Sequence, residues 1–262
     1  MAATVKILIE GYTNANIVIE PGQEQDCSTI TLVRDGDLTI VADPGVMKDR
    51  QLLIDALDGE GLSADDIDVV CITHSHIDHY RNIGMFPNAK ALEYSGIWDK
   101  DTVESWSEDF SPNVKILRTP GHMHHAITLL VTTDSDSDYP GVVAVCGDVF
   151  WKENYPEDPA DDPFAFNSEE LQHSREEIVK MADWIVPGHG PIYRTKKYKK
   201  MQENNLFSKA AKKPAKIIVA TCRRCHKSMT QQDGCLCRAW LCFRCCECGL
   251  DCDLCSCSHK KE

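Results

Sequence analysis

The stretch Thr73-His74-Ser75-His76-Ile77-Asp78-His79 packs three imidazoles and a carboxylate into six positions, directly after the apolar run 67–72. A strand that ends this way puts His74 and His76 on one side of a tight loop, with Asp78 and His79 on the other. That arrangement suits two metal ions. Imidazole and carboxylate are the usual zinc ligands, and a catalytic zinc needs only three protein ligands because water takes the last position. The loop by itself completes neither site, so further ligands must come from elsewhere in the chain.

Three later segments have the right form. Thr119-Pro120-Gly121-His122, Gly147-Asp148 and Val186-Pro187-Gly188-His189 each follow a strand-like run and pair a metal-ligand type with glycine. Glycine lets the backbone turn sharply enough for side chains from distant strands to converge. His124 and His125 compete with His122, which is favoured because it follows Pro-Gly directly. A lone histidine at a strand end is more often structural or merely exposed, and His173 and His226 are read that way. The metal reading rests on four segments in one order.

That order, His-x-His-x-Asp-His and then His, Asp and His, resembles the metallo-β-lactamase superfamily over roughly residues 5–193, and Asp43 matches the acidic residue that follows an early strand there. The resemblance implies one zinc on His74, His76 and His122, a second on Asp78, His79 and His189, and Asp148 bridging them. It gives His76, Asp78 and Asp148 catalytic roles, with Asp78 also orienting the water-derived nucleophile and Asp43 standing behind the ligands. Two zincs would lower the pKa of the water between them, polarise the scissile group and neutralise developing charge.

Asp148 and His189 stand only 41 positions apart, too few for the large insertion of the main RNA-processing branch of that superfamily. A cysteine block occupies the place of the helical domain of glyoxalase-II-like enzymes. His76 stands where the iron-containing flavodiiron branch has Glu, which favours a hydrolytic zinc site. Gly84-Met85-Phe86-Pro87, Gly147-Asp148-Val149-Phe150 and Val186-Pro187-Gly188-His189-Gly190-Pro191 are similar to the metallo-β-lactamase domain-containing protein 1 type, a family associated with endoribonuclease cleavage in the 3′ processing of histone pre-mRNA. Ser75, where that family tends to have Gly, and the cysteine block depart from it. The resemblance therefore implies a zinc-dependent endoribonuclease acting on RNA phosphodiesters. Hydrolysis of a small thioester or lactone, and a non-catalytic zinc-dependent binding protein, are the alternatives.

The elements that must position these residues are largely strands. Apolar alternation marks strands over 5–9, 16–19, 28–33 and 38–42, with Asp35-Gly36-Asp37 as a turn, and reads as an antiparallel meander ending in Asp43-Pro44-Gly45. Leu52, Leu53, Ala56 and Leu57 recur at helical spacing within 47–57, and Gly59 and Gly61 stop that helix. A strand over 69–72 delivers the His/Asp loop, and a short helix follows over 82–86. Further strands are expected at 90–93, 114–117, 127–132, 142–146 and 182–186. The polar segment 98–111 has no period and reads as loop or irregular helix, and 153–163 as an exposed loop near the site. Ser168 is the expected cap of a helix carrying Leu171, Ile178 and Met181. Two β-rich halves, each with helices, fit the four-layer αββα sandwich, of mixed α/β (α+β) class, that the resemblance implies.

An apolar fraction of 42% and five Trp exclude a disordered chain. The N-terminus has no basic leader before a longer apolar core, and no run approaches the roughly 18 apolar residues of a membrane span. A soluble protein is expected, with no membrane partner, in the cytosol and with the nucleus open. A homodimer is compatible with the sequence.

The net charge of −13 divides unequally: from Phe207 to Glu262, 11 basic and 5 acidic residues give +6 and leave −19 for the first 206 residues. A polyanion would be held first by the C-terminal part.

Eleven of the fourteen cysteines fall between Cys222 and Cys257. Without a secretory signal this favours thiolate zinc over disulfides. Cys222, Cys225, Cys235, Cys237, Cys242, Cys245, Cys248, Cys252 and Cys255 are the candidate ligands, with Cys246, Cys257, His226 and His259 as further ones. Two or more structural zincs are expected, in a segment too poor in apolar side chains to fold without metal. Such a module usually binds protein or nucleic acid. The expected organisation is a catalytic domain over 1–193, a basic linker over 194–216 and a Cys-rich module over 217–262.

Overall fold

A computed structural model of the chain describes residues 2–15, 22–153, 155 and 157–195, together with the backbone of two short paired strands, Ile218–Thr221 and Ser228–Thr230. The chain divides into two units, Met1–Asn204 and Asn205–Glu262. All the candidate cysteine ligands of the tail, and the basic segment beyond Thr195, lie outside the described residues. So does the strand expected over 16–19. No helix among the described residues is long and apolar enough to cross a membrane.

The first unit is a mixed α/β sandwich of two sheets with helices packed on their outer faces. Its first sheet takes β1 (Thr4–Ile9), then β4 (Ile30–Asp35), β5 (Leu38–Ala42), β6 (Val69–Cys71), β7 (Lys90–Glu93), β8 (Gly96–Asp99) and β9 (Thr102–Glu104), in that order across the sheet. A small pair, β2 (Tyr12–Thr13) and β3 (Asp26–Cys27), stands beside it. The second sheet runs β10 (Asp109–Ser111), β11 (Val114–Arg118), β12 (Ile127–Thr133), β13 (Gly141–Val145), β14 (Trp184–Val186) and β15 (Tyr193–Arg194). Helix α1 (Gln51–Gly59) crosses between β5 and β6, and α3 (Ser168–Met181) precedes β14; both crossovers join parallel neighbours. The four-residue helix α2 (Ile77–Tyr80) follows β6.

Alternation along each strand sorts its side chains between two cores. Ile127, Leu129 and Val131 of β12, with Val143 and Val145 of β13, face Val33, Ile40, Ala42, Val69 and Cys71 across the gap between the sheets. Their neighbours face outwards. Leu130, Ala144 and Ile185 pack under Leu171, Ile178 and Val179 of α3, while Leu32, Val41 and Val70 pack under Leu53 and Leu57 of α1. Each fully buried aliphatic side chain contributes roughly 1.5–3 kcal/mol, so the three cores fix the strand ends from which the candidate ligands emerge.

Several expectations are corrected. The segment 98–111, read as loop or irregular helix, is strand and turn: β9 and β10 are edge strands and β8 lies next to the edge, and their mostly exposed or half-buried side chains leave no apolar period. Helix α1 begins at Gln51, not at Met47. The cap of α3 is Asn167, whose Oδ1 accepts from the backbone N–H groups of Glu169 and Glu170, while Ser168 is already helical. Met181, expected on the apolar face, is 41% exposed at the helix end. Within 153–163, Pro159 and Asp162 are buried.

Removing the cap should cost more than removing the residue after it. Asn167→Ala is expected to lower stability by about 1 kcal/mol, and Ser168→Ala by clearly less. Urea unfolding of the two variants checks this, and equal losses would return the cap to Ser168.

Candidate metal centre

Each candidate ligand leaves the C-terminal end of a strand. His74 and His76 follow β6 and His76 caps α2, which carries Asp78 and His79; His122 follows β11, Asp148 follows β13 in a 3-10 turn, and His189 follows β14. The parallel pairs β5/β6 and β13/β14 align those ends at one edge of the sandwich. Cross-links between loops hold the alignment. The Ile127 N–H donates to Thr73 O at 2.8 Å, Thr29 N–H donates to Gly188 O at 2.6 Å, and the Thr29 hydroxyl donates to Gly190 O at 3.0 Å.

Two groups of ligand atoms result: His74, His76, His122 and Asp148, and Asp78, His79 and His189, the atoms of each group lying within 4.8 Å of one another. In the first, His76 Nδ1 lies 3.0 Å from His74 Nε2 and 3.1 Å from His122 Nε2. In the second, His79 Nε2 and His189 Nε2 lie 3.4 and 3.5 Å from Asp78 Oδ2. Asp148 faces both groups. Its Oδ2 is 3.7 Å from His74 Nε2 and 3.4 Å from His122 Nε2, and its Oδ1 is 3.3 Å from both His79 Nε2 and His189 Nε2. His124 and His125 join neither group: His124 packs against Phe166 and His125 stacks on Tyr94.

The second nitrogen of each ring shows why the inward atoms are free to ligate. His79 Nδ1–H donates to Asp43 Oδ2 at 2.9 Å, His189 Nδ1–H to Cys27 O at 3.0 Å, and His122 Nδ1–H to Asp162 Oδ2 at 3.3 Å. The Thr73 hydroxyl donates to Asp43 Oδ2 at 2.7 Å and can therefore accept from His74 Nδ1–H at 3.2 Å. Each of these bonds leaves a lone pair on Nε2, aimed inwards. Asp43 also accepts from Thr73 N–H at 2.8 Å, so one buried carboxylate orients both the loop and His79.

The electrostatics fit a cation. Burial and the neighbouring His79 push His74 well below the ordinary imidazole value, and burial with His122 lowers His76, so these two rings favour the neutral form that offers a lone pair. Burial alone would raise Asp148, but His189 and His79 outweigh it and hold its carboxyl well below the usual range. Burial would lower His79 and His189, but Asp148 outweighs it for both, helped at His79 by Asp43. The second group thus calls for positive charge. His79 Nε2 and Asp148 Oδ1 are buried without a hydrogen-bond partner, although such atoms are normally satisfied. A metal ion would satisfy both.

Two glycines are sterically required. A Cβ at Gly188 would collide with Asp148 Oδ1, and Gly147 takes φ 50 with its would-be Cβ against the Thr73 hydroxyl. Sequence reasoning missed Asp162, hidden in an acidic run, and Cys27, which acts through its carbonyl. It also missed Trp151, whose ring lies 6.1 Å from that of His122 and 6.3 Å from that of His189. Only an acid just before an apolar run (Asp162-Pro163-Phe164) could have signalled the first of these.

The family model of the metallo-beta-lactamase superfamily matches residues 27–109. Metallo-beta-lactamase domain-containing protein 1 of Xenopus laevis is 31% identical over 207 residues, 74% of this chain and 83% of that protein. The Homo sapiens protein of the same name is 31% identical over 166 residues, 59% of each chain. Among solved structures, a metallo-beta-lactamase candidate from Thermotoga maritima superposes with a TM-score of 0.60 at 22% identity, over 74% of this chain and 100% of that one.

Asp43→Asn removes the carboxylate oxygen that accepts from His79 Nδ1–H and frees the ring to take the other tautomer. Affinity for a divalent metal ion should fall roughly 10–100-fold. Competition against a chromophoric chelator measures it, and an unchanged affinity would remove Asp43 from the support of the site.

Proposed function

This chain belongs to the metallo-β-lactamase superfamily, and from that premise we propose that it is a dinuclear zinc hydrolase whose substrate is an RNA phosphodiester. The observation that supports a pair of metals is Asp148, whose two oxygens each face a separate group of ligand atoms. His74, His76 and His122 would hold one ion, Asp78, His79 and His189 the other, and Asp148 would contribute to both. The donor set of imidazole and carboxylate suits zinc. Zinc, when bound, supplies Lewis acidity and a lowered pKa for water.

The chain's own residues do the rest. Asp43, Thr73, Asp162 and the Cys27 carbonyl lock the imidazole orientations before substrate arrives, so little reorganisation is needed later. Asp78, partly exposed between the buried ligands and solvent, is placed to orient a water by accepting its hydrogen. Trp151, packed on Phe164 at 5.4 Å, excludes water from one side of the site.

RNA is favoured by the two-metal arrangement, which can stabilise attacking and leaving oxygens of an in-line displacement, and by the likeness to domain-containing protein 1. A small thioester or lactone is the second reading, favoured by exposed Ile77 on the ligand-bearing loop and exposed Phe164 and Phe166 just beyond Asp162. The Cys-rich tail, held by structural zinc, would add a protein- or nucleic-acid-binding module.

A fragment ending at Asn204 should carry two zinc ions per chain by elemental analysis, and less than one would sink the dinuclear reading. The full chain loaded with zinc should cleave histone pre-mRNA, with His76→Ala inactive. Thioester turnover without RNA cleavage would move the assignment to the second reading.

A further inference from the structure

Four planar groups form a column. The Arg118 guanidinium carbon lies 4.3 Å from the centroid of the Trp106 ring and 5.1 Å from that of Tyr94, and the His125 imidazole is stacked on Tyr94 at 4.7 Å and 26°. A guanidinium and an imidazole so close to one phenol ring cannot both cover the same face. The order is therefore Trp106, Arg118, Tyr94, His125.

The inner end is anchored. Trp106 and Tyr94 pack against the core between the sheets, and Trp106 Nε1–H donates to Glu93 O at 2.8 Å. The outer end is open. His125 is exposed, and its neighbour His124 is tilted 50° at 6.5 Å, turned towards Phe166 instead of covering it. His125 lies three residues beyond the candidate ligand His122, on the segment that joins β11 to β12.

We propose that the open face of His125 is a stacking subsite for a nucleobase of single-stranded RNA next to the phosphodiester being cut, an inference that rests on the RNA reading above. A column capped by a flat, polarisable ring extends by one layer when a base stacks on it, and every base has a face to offer. The cation in the second layer strengthens the stack through its contacts with both rings. The contact is a ring-to-base stack and not an ion pair with phosphate, so it operates despite the net negative charge of the first 206 residues. Recognition is tolerant of sequence, because stacking reads no hydrogen-bonding edge.

The test uses the full-length, zinc-loaded chain and a short single-stranded RNA that carries 2-aminopurine and is 2′-O-methylated against cleavage. Binding should quench the probe. His125→Ala should abolish the quench and weaken binding about tenfold, and His125→Phe, which keeps a stacking ring, should restore both. With cleavable RNA, His125→Ala should raise KM with little change in kcat, and turnover of bis(p-nitrophenyl) phosphate should stay unchanged. An absent quench, or one that His125→Ala leaves intact, overturns the subsite. A quench that depends on His125 in a protein that cuts no RNA keeps the subsite and overturns the hydrolytic reading instead.

Discussion

Everything in the first unit answers to one buried carboxylate. Asp148 is nearly inaccessible, yet it is held ionised, and an isolated charge in such a place would be expelled or neutralised. It survives because four imidazoles converge on its two oxygens from three separate loops. Those loops reach it only because two sheets end at one edge, and the sheets keep that register because alternating side chains fill the core between them. The steric demand at Gly188 follows from the same constraint, since the loop carrying His189 passes against Asp148 with no room for a side chain.

A second layer of polar contacts turns convergence into a defined site. Four histidines each bind through Nδ1, to Asp43, Thr73, Asp162 and the Cys27 carbonyl, so the inward nitrogens are fixed by partners on different elements. Thr73 shows the economy of this arrangement: one hydroxyl donates to Asp43 and is left able to accept from His74, coupling the two ligand groups through a single residue.

The ligand residues were legible in the sequence because metal chemistry restricts residue types and strand ends restrict their positions. His74 to His79, His122, Asp148 and His189 all carry such a signature, and most of the strands that deliver them are short continuous apolar runs. Less was legible where a residue acts through backbone or through unremarkable chemistry. Cys27 contributes a carbonyl that any residue possesses, and Asp162 sits among acids that are mostly exposed. Asn167 and Ser168 are both good caps, and only the backbone at position 167, with φ −146 and ψ 107, decides between them. The strands β8 to β10, at or next to a sheet edge, were unreadable for a related reason, since burial on one face creates the apolar period and those strands have little.

The charge distribution constrains how a polyanion could be used. With −19 on the first 206 residues, long-range attraction of RNA to the catalytic unit is disfavoured, and the +6 of the remainder supplies the only net attraction. On the RNA reading, capture and cleavage would then be divided between the two units: the tail would concentrate the strand through its phosphates, and the catalytic unit would hold it by contacts that do not depend on net charge. Two such contacts exist in principle, ligation of a single phosphate by metal and stacking of a single base. A chain that recognised its substrate through basic side chains around the metals would have needed to neutralise the carboxylates that build the site. On the RNA reading, an acidic unit that holds its substrate by stacking would avoid that conflict, because the carboxylates of Asp43, Asp78, Asp148 and Asp162 could then serve the histidines and the metals alone.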